Sequence, residues 1–142
     1  MVLVIERVKK ARLESEQQRC EIGEGLVVFL GIEKNDKSVL AEKVADKIMN
    51  IKMFENKERR IKLSLKDING SLILIPNFSL AAEVSGNRLS FDKAMSAALA
   101  REIYEAVVRA IKQYIACCSG HFGSFMNIEV EHSGPLNVIL RI

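Results

Sequence analysis

Gly25-Leu26-Val27-Val28-Phe29-Leu30-Gly31-Ile32 is the stretch on which the fold turns. Between and after its two glycines every side chain is large and apolar, with no polar alternation. A strand with water on one face alternates polar and apolar residues. A run that is apolar at every position belongs to a strand covered on both faces. Such a strand needs a packed layer on each side, and this requirement organises the rest of the chain.

Towards the N-terminus, residues 1–8 are rich in Val and Ile and predict a strand. Arg12 to Glu21 fits an exposed strand or hairpin arm, and Gly23 and Gly25 bracket a turn. Towards the C-terminus, Asn35 or Asp36 is placed to cap a helix. Leu40, Val44, Ile48 and Ile51 then recur at helical spacing, with Glu42, Lys43, Asp46 and Lys47 opposite. Met49 to Phe54 passes into a short strand, and Glu55 to Arg60 is a charged turn. Asn69-Gly70 predicts a hairpin joining residues 61–68 to residues 71–75. Ser71 to Ala82 is a second apolar strand region, broken at Pro76, which has no N–H for a sheet ladder. Ser85-Gly86-Asn87 is a loop. Ser90 or Asp92 opens a second helix whose buried stripe is Leu99, Ile103, Ala106, Val107, Ala110, Ile111 and Tyr114. Two final strands lie near Phe125–Glu131 and Leu136–Arg141, joined by Ser133-Gly134-Pro135. Two helices and many strands predict one compact mixed α/β domain over residues 1–142, with two to three packed layers.

Composition narrows the function classes. With 142 residues, 49% hydrophobic and 27% charged, the chain has the profile of a soluble domain that folds without a disulfide or metal. No apolar run approaches the ~20 residues of a membrane span, and the N-terminus does not read as a signal peptide. The expectation is therefore a cytoplasmic protein. Three cysteines (Cys20, Cys117, Cys118) without CxxC spacing speak against a disulfide framework and a zinc site, and are expected to be reduced. The net charge of +3 permits contact with a polyanion but is far from that of a dedicated nucleic-acid module.

No P-loop, GxSxG elbow or HExxH pair is present, and the two histidines, His121 and His132, suggest no triad. Two segments stand out. Pro76-Asn77-Phe78-Ser79-Leu80-Ala81 breaks an apolar strand and places polar side chains at the break. It is either a plain edge bulge or a source of free main-chain N–H donors suited to an oxyanion. Gly134-Pro135 is either an ordinary hairpin turn or a cis peptide beside which glycine lets backbone approach a ligand.

These segments carry a family resemblance. Val4-Ile5-Glu6-Arg7-Val8 is similar to the opening IQRV strand of the D-aminoacyl-tRNA deacylases, and Gly25–Ile32 to their GLLVLLGV strand. Leu63-Ser64 with Asp67 and Gly70 resembles their NLSVxDxxG segment. Arg88, Ser90 and Phe91 resemble RRPSF, and Gly120, Phe122, Gly123 and Met126 resemble TGxFGAxM. The resemblance implies a three-layer α/β/β fold, a homodimer, aminoacyl-tRNA as partner and no cofactor or metal. It places the family's catalytic SQxxL motif on Pro76-Asn77-Phe78-Ser79-Leu80. The N–H groups of Phe78 and Ser79 would there hold the ester carbonyl, assisted by the terminal 2′-OH of the tRNA. Asn77 stands where the family has glutamine, and Leu80 and Ala81 continue the substrate wall. The gating NxGPxT motif falls on His132 to Asn137, with Gly134-Pro135 entering the partner's pocket and Arg7 bracing that loop.

The implied activity is hydrolysis of D-aminoacyl-tRNA as a chiral proofreading step, with glycine mischarged on tRNA-Ala as a second substrate. The sequence departs from the pattern at Pro76 for serine, Asn77 for glutamine, His132 for asparagine and Asn137 for threonine. Glu83 to Arg88 also lacks the family's cluster of basic residues, which implies fewer phosphate contacts. The alternative is a relative that binds aminoacyl-tRNA or a small ligand with little hydrolysis.

Overall fold

The computed structural model describes residues 1–142. Leu26, Val27, Val28 and Leu30 are at most 1% exposed, and consecutive side chains point to opposite faces of a sheet. Leu26, Val28 and Leu30 join a large core, whereas Val27 joins a second, smaller one on the other face. The same division recurs on the neighbouring strand: Leu72 and Leu74 face the large core, Ile73 and Ile75 the small one.

The strands are β1 (Val2–Glu14), β2 (Arg19–Ile22), β3 (Gly25–Gly31), β4 (Phe54–Glu55), β5 (Ile61–Leu63), β6 (Ser71–Pro76), β7 (Glu83–Ser85), β8 (Arg88–Ser90), β9 (Cys117–Ser119) and β10 (Asn127–Arg141). Helix α1 (Ala41–Asn50) follows a 3-10 turn at Ser38–Leu40, and α2 (Ala97–Lys112) precedes β9. The main sheet runs β10-β1-β3-β6-β9, with β2 also pairing β1. Pairs β1–β10 and β1–β3 are antiparallel, and β3–β6 and β6–β9 are parallel.

The large core is closed by the inner faces of α1 (Val44, Ala45, Ile48, Met49) and α2 (Ile103, Tyr104, Val107, Ile111). The small core is closed by the sheet curling over itself. β1 is long enough to serve two layers: Leu3 and Ile5 lie in the large core, Val8, Ala11 and Leu13 in the small one. β10 follows it, with Ile128 and Val130 against the small core and Val138 and Leu140 against the large. The result is helices, sheet and curled strands in succession, the α/β/β arrangement. No helix is long and apolar enough to cross a membrane.

Several local expectations are corrected. Asn69-Gly70 does not form a hairpin: Asn69 has φ +50°, the Gly70 N–H donates to Leu65 O, and β6 lies beside β3 in parallel while β5 pairs with β4. β6 is apolar on both faces, so only the sheet centre can bury it. Asp36 does not cap α1; its carboxylate accepts instead from the Met1 amino group (2.7 Å) and the Glu33 N–H (2.7 Å). Ser90 ends β8, and α2 begins only at Ala97 because residues 91–94 first cross to bridge Glu33 with Ala94. Leu99 and Tyr114 are exposed, so the buried stripe of α2 includes Tyr104 in their place. Phe125 precedes β10, and the two final strands are one, interrupted by a bulge at Gly134-Pro135.

The cysteines are not all reduced. Cys20 on β2 and Cys118 on β9 form a disulfide, with only Cys117 free. Neighbours on a strand face opposite ways, so Cys117 turns to the large core and Cys118 to the small one, where the sheet's curl has carried Cys20. A separation of 98 residues hides this pairing from the sequence.

Candidate active site

The break at Pro76 has a structural cause on each side. β9 pairs β6 only as far as Leu74 and Ser119, and the Gly120 N–H closes that edge by donating to Leu74 O at 2.7 Å. Pro76 still pairs with Leu30 of β3 but lies beyond the ladder to β9, where a missing N–H costs nothing. On the other side the Asn77 N–H donates to Leu30 O at 2.9 Å, and the chain then coils into a 3-10 turn, Phe78–Ala81. Asn77 caps it from an extended conformation. Its Oδ1 accepts from the Ser79 N–H at 3.1 Å and from the Ser79 hydroxyl at 2.6 Å. The turn lies across Gly31, where an added Cβ would sit 2.6 Å from the Leu80 Cβ and 3.1 Å from Asn77 O.

Beside this turn is a mostly apolar cavity of about 510 Å³, lined by Pro76, Asn77 and Phe78 with Phe29, Met95 and the segment Phe122–Met126. Phe78 is 64% exposed and stacks on Phe91 with ring centroids 5.1 Å apart. The opposite wall is fixed by Tyr104, whose buried hydroxyl lies 3.0 Å from Leu74 O and 2.8 Å from Gly120 O and shares its proton between them. Burial pushes the Tyr104 hydroxyl far above the ordinary phenol range, so it stays a donor. Gly120 lets the two walls meet: a Cβ there would be 2.7 Å from Met126 Sδ and 3.0 Å from Pro76 Cδ.

The chemistry on offer is main-chain hydrogen bonding at the mouth of an apolar pocket. The Phe78 N–H opens the turn and has no partner within it. The Ser79 N–H is held by Asn77 and is available to a substrate carbonyl only when Asn77 lets go; Ser79 itself does not line the cavity. Leu80 packs on Gly31 and Ala81 is buried, and neither lines the cavity.

The remaining expected site residues lie across the sheet. β10 pairs with β1 as Glu6↔Asn137 and Val8↔His132, so residues 133–136 bulge out opposite Arg7 alone. The Gly134-Pro135 peptide is cis, with Gly134 at φ +133°. Arg7 is 9% exposed; its Nε donates to Ser133 O at 2.8 Å and its guanidinium to Met53 O at 2.9 Å. His132 is exposed, with Nε2 3.9 Å from the Glu6 carboxylate. β1 and β3 separate this loop from β6, about 14 Å at the usual strand spacing. Within one chain, therefore, the Gly134-Pro135 loop and the Asn77–Ser79 turn do not meet. Sequence reasoning missed the pocket wall Phe122–Met126; its signal was a glycine pair, Gly120 and Gly123, flanking an aromatic with a second aromatic close behind.

Comparison with known proteins agrees along the whole length. The family described as D-Tyr-tRNA(Tyr) deacylase matches residues 4–141. A D-aminoacyl-tRNA deacylase of Thermodesulfovibrio yellowstonii is 36% identical with 99% of each chain covered, and one of Haemophilus influenzae 32% identical with full coverage of both. Among solved structures, one titled c-Myc DNA Unwinding Element Binding Protein superposes with a TM-score of 0.92 at 26% identity, covering 100% of this chain and 99% of that one. A probable eukaryotic D-amino acid tRNA deacylase shares the fold, with a TM-score of 0.87 at 14% identity over 99% and 98% of the two chains. The chain belongs to the D-aminoacyl-tRNA deacylase family, a family of hydrolases.

Proposed function

We propose that this chain hydrolyses the ester of D-aminoacyl-tRNA, releasing D-amino acid and tRNA, as a chiral proofreading step in the cytoplasm. The observation that carries the reading is the Asn77–Ser79 turn, whose Asn77 and Phe78 line an apolar pocket with the Phe78 N–H opening the turn. Water attacks the ester carbonyl, and the N–H groups of Phe78 and Ser79 hold the oxygen as negative charge develops on it. Two such donors aimed at a developing oxyanion are worth roughly a hundredfold or more in rate each. The terminal 2′-OH of the tRNA assists the proton transfers, and no metal or cofactor takes part.

Selectivity is assigned to the Gly134-Pro135 loop. It lies about 14 Å across the sheet from β6, level with Leu72 and so further still from the turn that follows Pro76, which supports a homodimer in which each loop enters the partner's pocket. Its carbonyls accept from the substrate's α-ammonium group and leave no room for an L side chain. Glycine has no side chain to exclude, so glycyl-tRNA-Ala is admitted too. The test is loss of D-Tyr-tRNA and L-Tyr-tRNA in the presence of chelator. Acceleration of the D ester alone supports the reading, and no acceleration of either ester sinks it.

A second reading, a binder of aminoacyl-tRNA with little hydrolysis, is favoured by one contact. Asn77 Oδ1 occupies the Ser79 N–H that the oxyanion would need. The double variant Pro76→Ser, Asn77→Gln separates the two. A large gain in single-turnover rate marks a degenerate site, and a loss marks one tuned as it stands.

A further inference from the structure

We infer that the β4–β5 hairpin is a docking surface for the phosphodiester backbone of tRNA, and that it serves the pocket of the partner subunit. The charge distribution points there first. Residues 52–67 hold six cations (Lys52, Lys57, Arg59, Arg60, Lys62, Lys66) against three anions (Glu55, Glu58, Asp67), a net +3. That equals the net charge of the entire chain, so the remainder is neutral. The turn beside the candidate active site, residues 83–90, holds only Glu83 and Arg88 and is neutral as well.

Most of the hairpin's cations are free to meet a polyanion. Lys52 is held by Asp67 at 2.7 Å, and Lys66 lies 4.2 Å over the Tyr114 ring. Lys57, Arg59, Arg60 and Lys62 stand on the exposed tip, where the one ion pair is Arg60 with Glu58 at 3.7 Å, both sides 67% exposed. Such a pair is worth little in water and yields readily to a phosphate.

The tip is also held in shape. Asn56 Oδ1 accepts from the N–H groups of Glu58 and Arg60, each at 3.0 Å, and Arg60 O accepts from the Asn56 N–H at 2.8 Å. Arg59 sits in the left-handed region at φ +59° to close that turn. At the root, Met53 and Phe54 are buried in the large core.

The position follows from Arg7. The same guanidinium that donates to Met53 O also has its Nε on Ser133 O, so hairpin and Gly134-Pro135 loop share one anchor. The trans placement rests on the proposed function: if the loop enters the partner's pocket, the basic tip stands at that pocket's mouth. There it meets the phosphates of the acceptor end whose ester the pocket holds. The hairpin thereby supplies the contacts that the neutral 83–90 turn lacks.

The test uses the full chain with Lys57→Gln, Arg60→Gln and Lys62→Gln combined, leaving Arg59 in its left-handed turn. Binding of uncharged tRNA is followed by fluorescence anisotropy between about 50 and 200 mM KCl. Hydrolysis is measured on D-Tyr-tRNA and on D-tyrosyl-adenosine, which carries the ester without phosphates. The expected result is an affinity for tRNA at least tenfold weaker at low salt, and a log–log salt slope shallower by about 2 to 3. KM for D-Tyr-tRNA rises, while kcat and the adenosine ester are unaffected. An unchanged salt slope overturns the inference, as does an equal loss on both esters, which would place the effect at the active site. If the wild type hydrolyses neither ester, the hydrolytic reading fails on its own and the tRNA-binding arm still decides this one.

Discussion

Arg7→Met removes the side chain whose hydrogen bonds tie the Gly134-Pro135 loop to the β4–β5 hairpin. Methionine keeps the aliphatic stem, so the perturbation is the loss of donors rather than of volume. Two hydrogen bonds disappear, to Ser133 O at 2.8 Å and Met53 O at 2.9 Å. Hydrogen bonds from a charged donor contribute roughly 1.5–3 kcal/mol each. The Ser133 contact is only partly buried and water replaces some of it, so a total of about 3–4 kcal/mol is the reasonable figure. For a domain of this size each kcal/mol shifts Tm by about 2–4 °C, giving a fall of about 6–16 °C. Arg7→Lys reaches one carbonyl and should lose about half as much. The assay is thermal unfolding at fixed protein concentration, followed by initial rates on D- and L-Tyr-tRNA. With the loop unbraced, the ratio of D to L hydrolysis should fall. A Tm within about 3 °C of wild type would refute the energetic reasoning. A large fall in Tm with an unmoved D:L ratio would refute Arg7 as a brace of the gate.

Three further outcomes follow from the site and its surroundings. Tyr104→Phe leaves Leu74 O and Gly120 O without their shared proton and should destabilise by about 1–3 kcal/mol in urea titration; no change would mean that the carbonyls had found another donor. Cys20→Ser opens the bridge to Cys118 across 98 residues and should lower stability by roughly 2–4 kcal/mol in non-reducing buffer, with no difference between variant and wild type once a dithiol reductant is present. Burial pushes the Cys117 thiol up to about 11, so at pH 8 only about one molecule in a thousand is thiolate. Its carbamidomethylation by iodoacetamide should be slow at pH 8 and rise about tenfold per pH unit below that value; rapid labelling at pH 8 in native protein would contradict it.

The parts of the fold that were legible share one property, that a local pattern and the global packing ask for the same thing. Gly25–Ile32 reads as a two-faced strand because both its faces are in fact covered, and Val44 and Ile48 read as a helix face because that face is buried. Asn69-Gly70 misled because a strong turn signal says nothing about which strands it joins; the pairing of β6 with β3 was decided by burial elsewhere. Ser90 and Asp92 are plausible caps, but they bond each other, through Ser90 Oγ to Asp92 Oδ2 at 2.8 Å, and the helix starts later. The disulfide was illegible because it depends on the sheet's curl, a property of no single segment. At the site, the break at Pro76 was visible and the cavity wall opposite was not. The Asn77 cap was readable in principle, since an Asn two residues before a Ser commonly accepts from its backbone. The family motif directed attention to the N–H groups as donors for substrate instead.

The bulge in β10 has a consequence for how this protein can vary. Opposite Arg7 the strand carries three residues beyond those the ladder needs, and near Lys9 β1 carries one, so the offset between the two strands changes by two. An even offset preserves the phase of the pleat: Leu13 still pairs with Ile128 and Ile5 with Val138, all facing inward to a core. The ladder on either side is thus fixed by its own pairs and owes nothing to the residues between them. The loop behaves as a cassette, in which side chains are exchangeable and length is exchangeable in even steps, without flipping the pleat on either side. On the proposed gating role, selectivity can evolve at the loop while the strand that carries it stays as it is, a modularity to be tested by grafting the corresponding loop of a relative into residues 133–136.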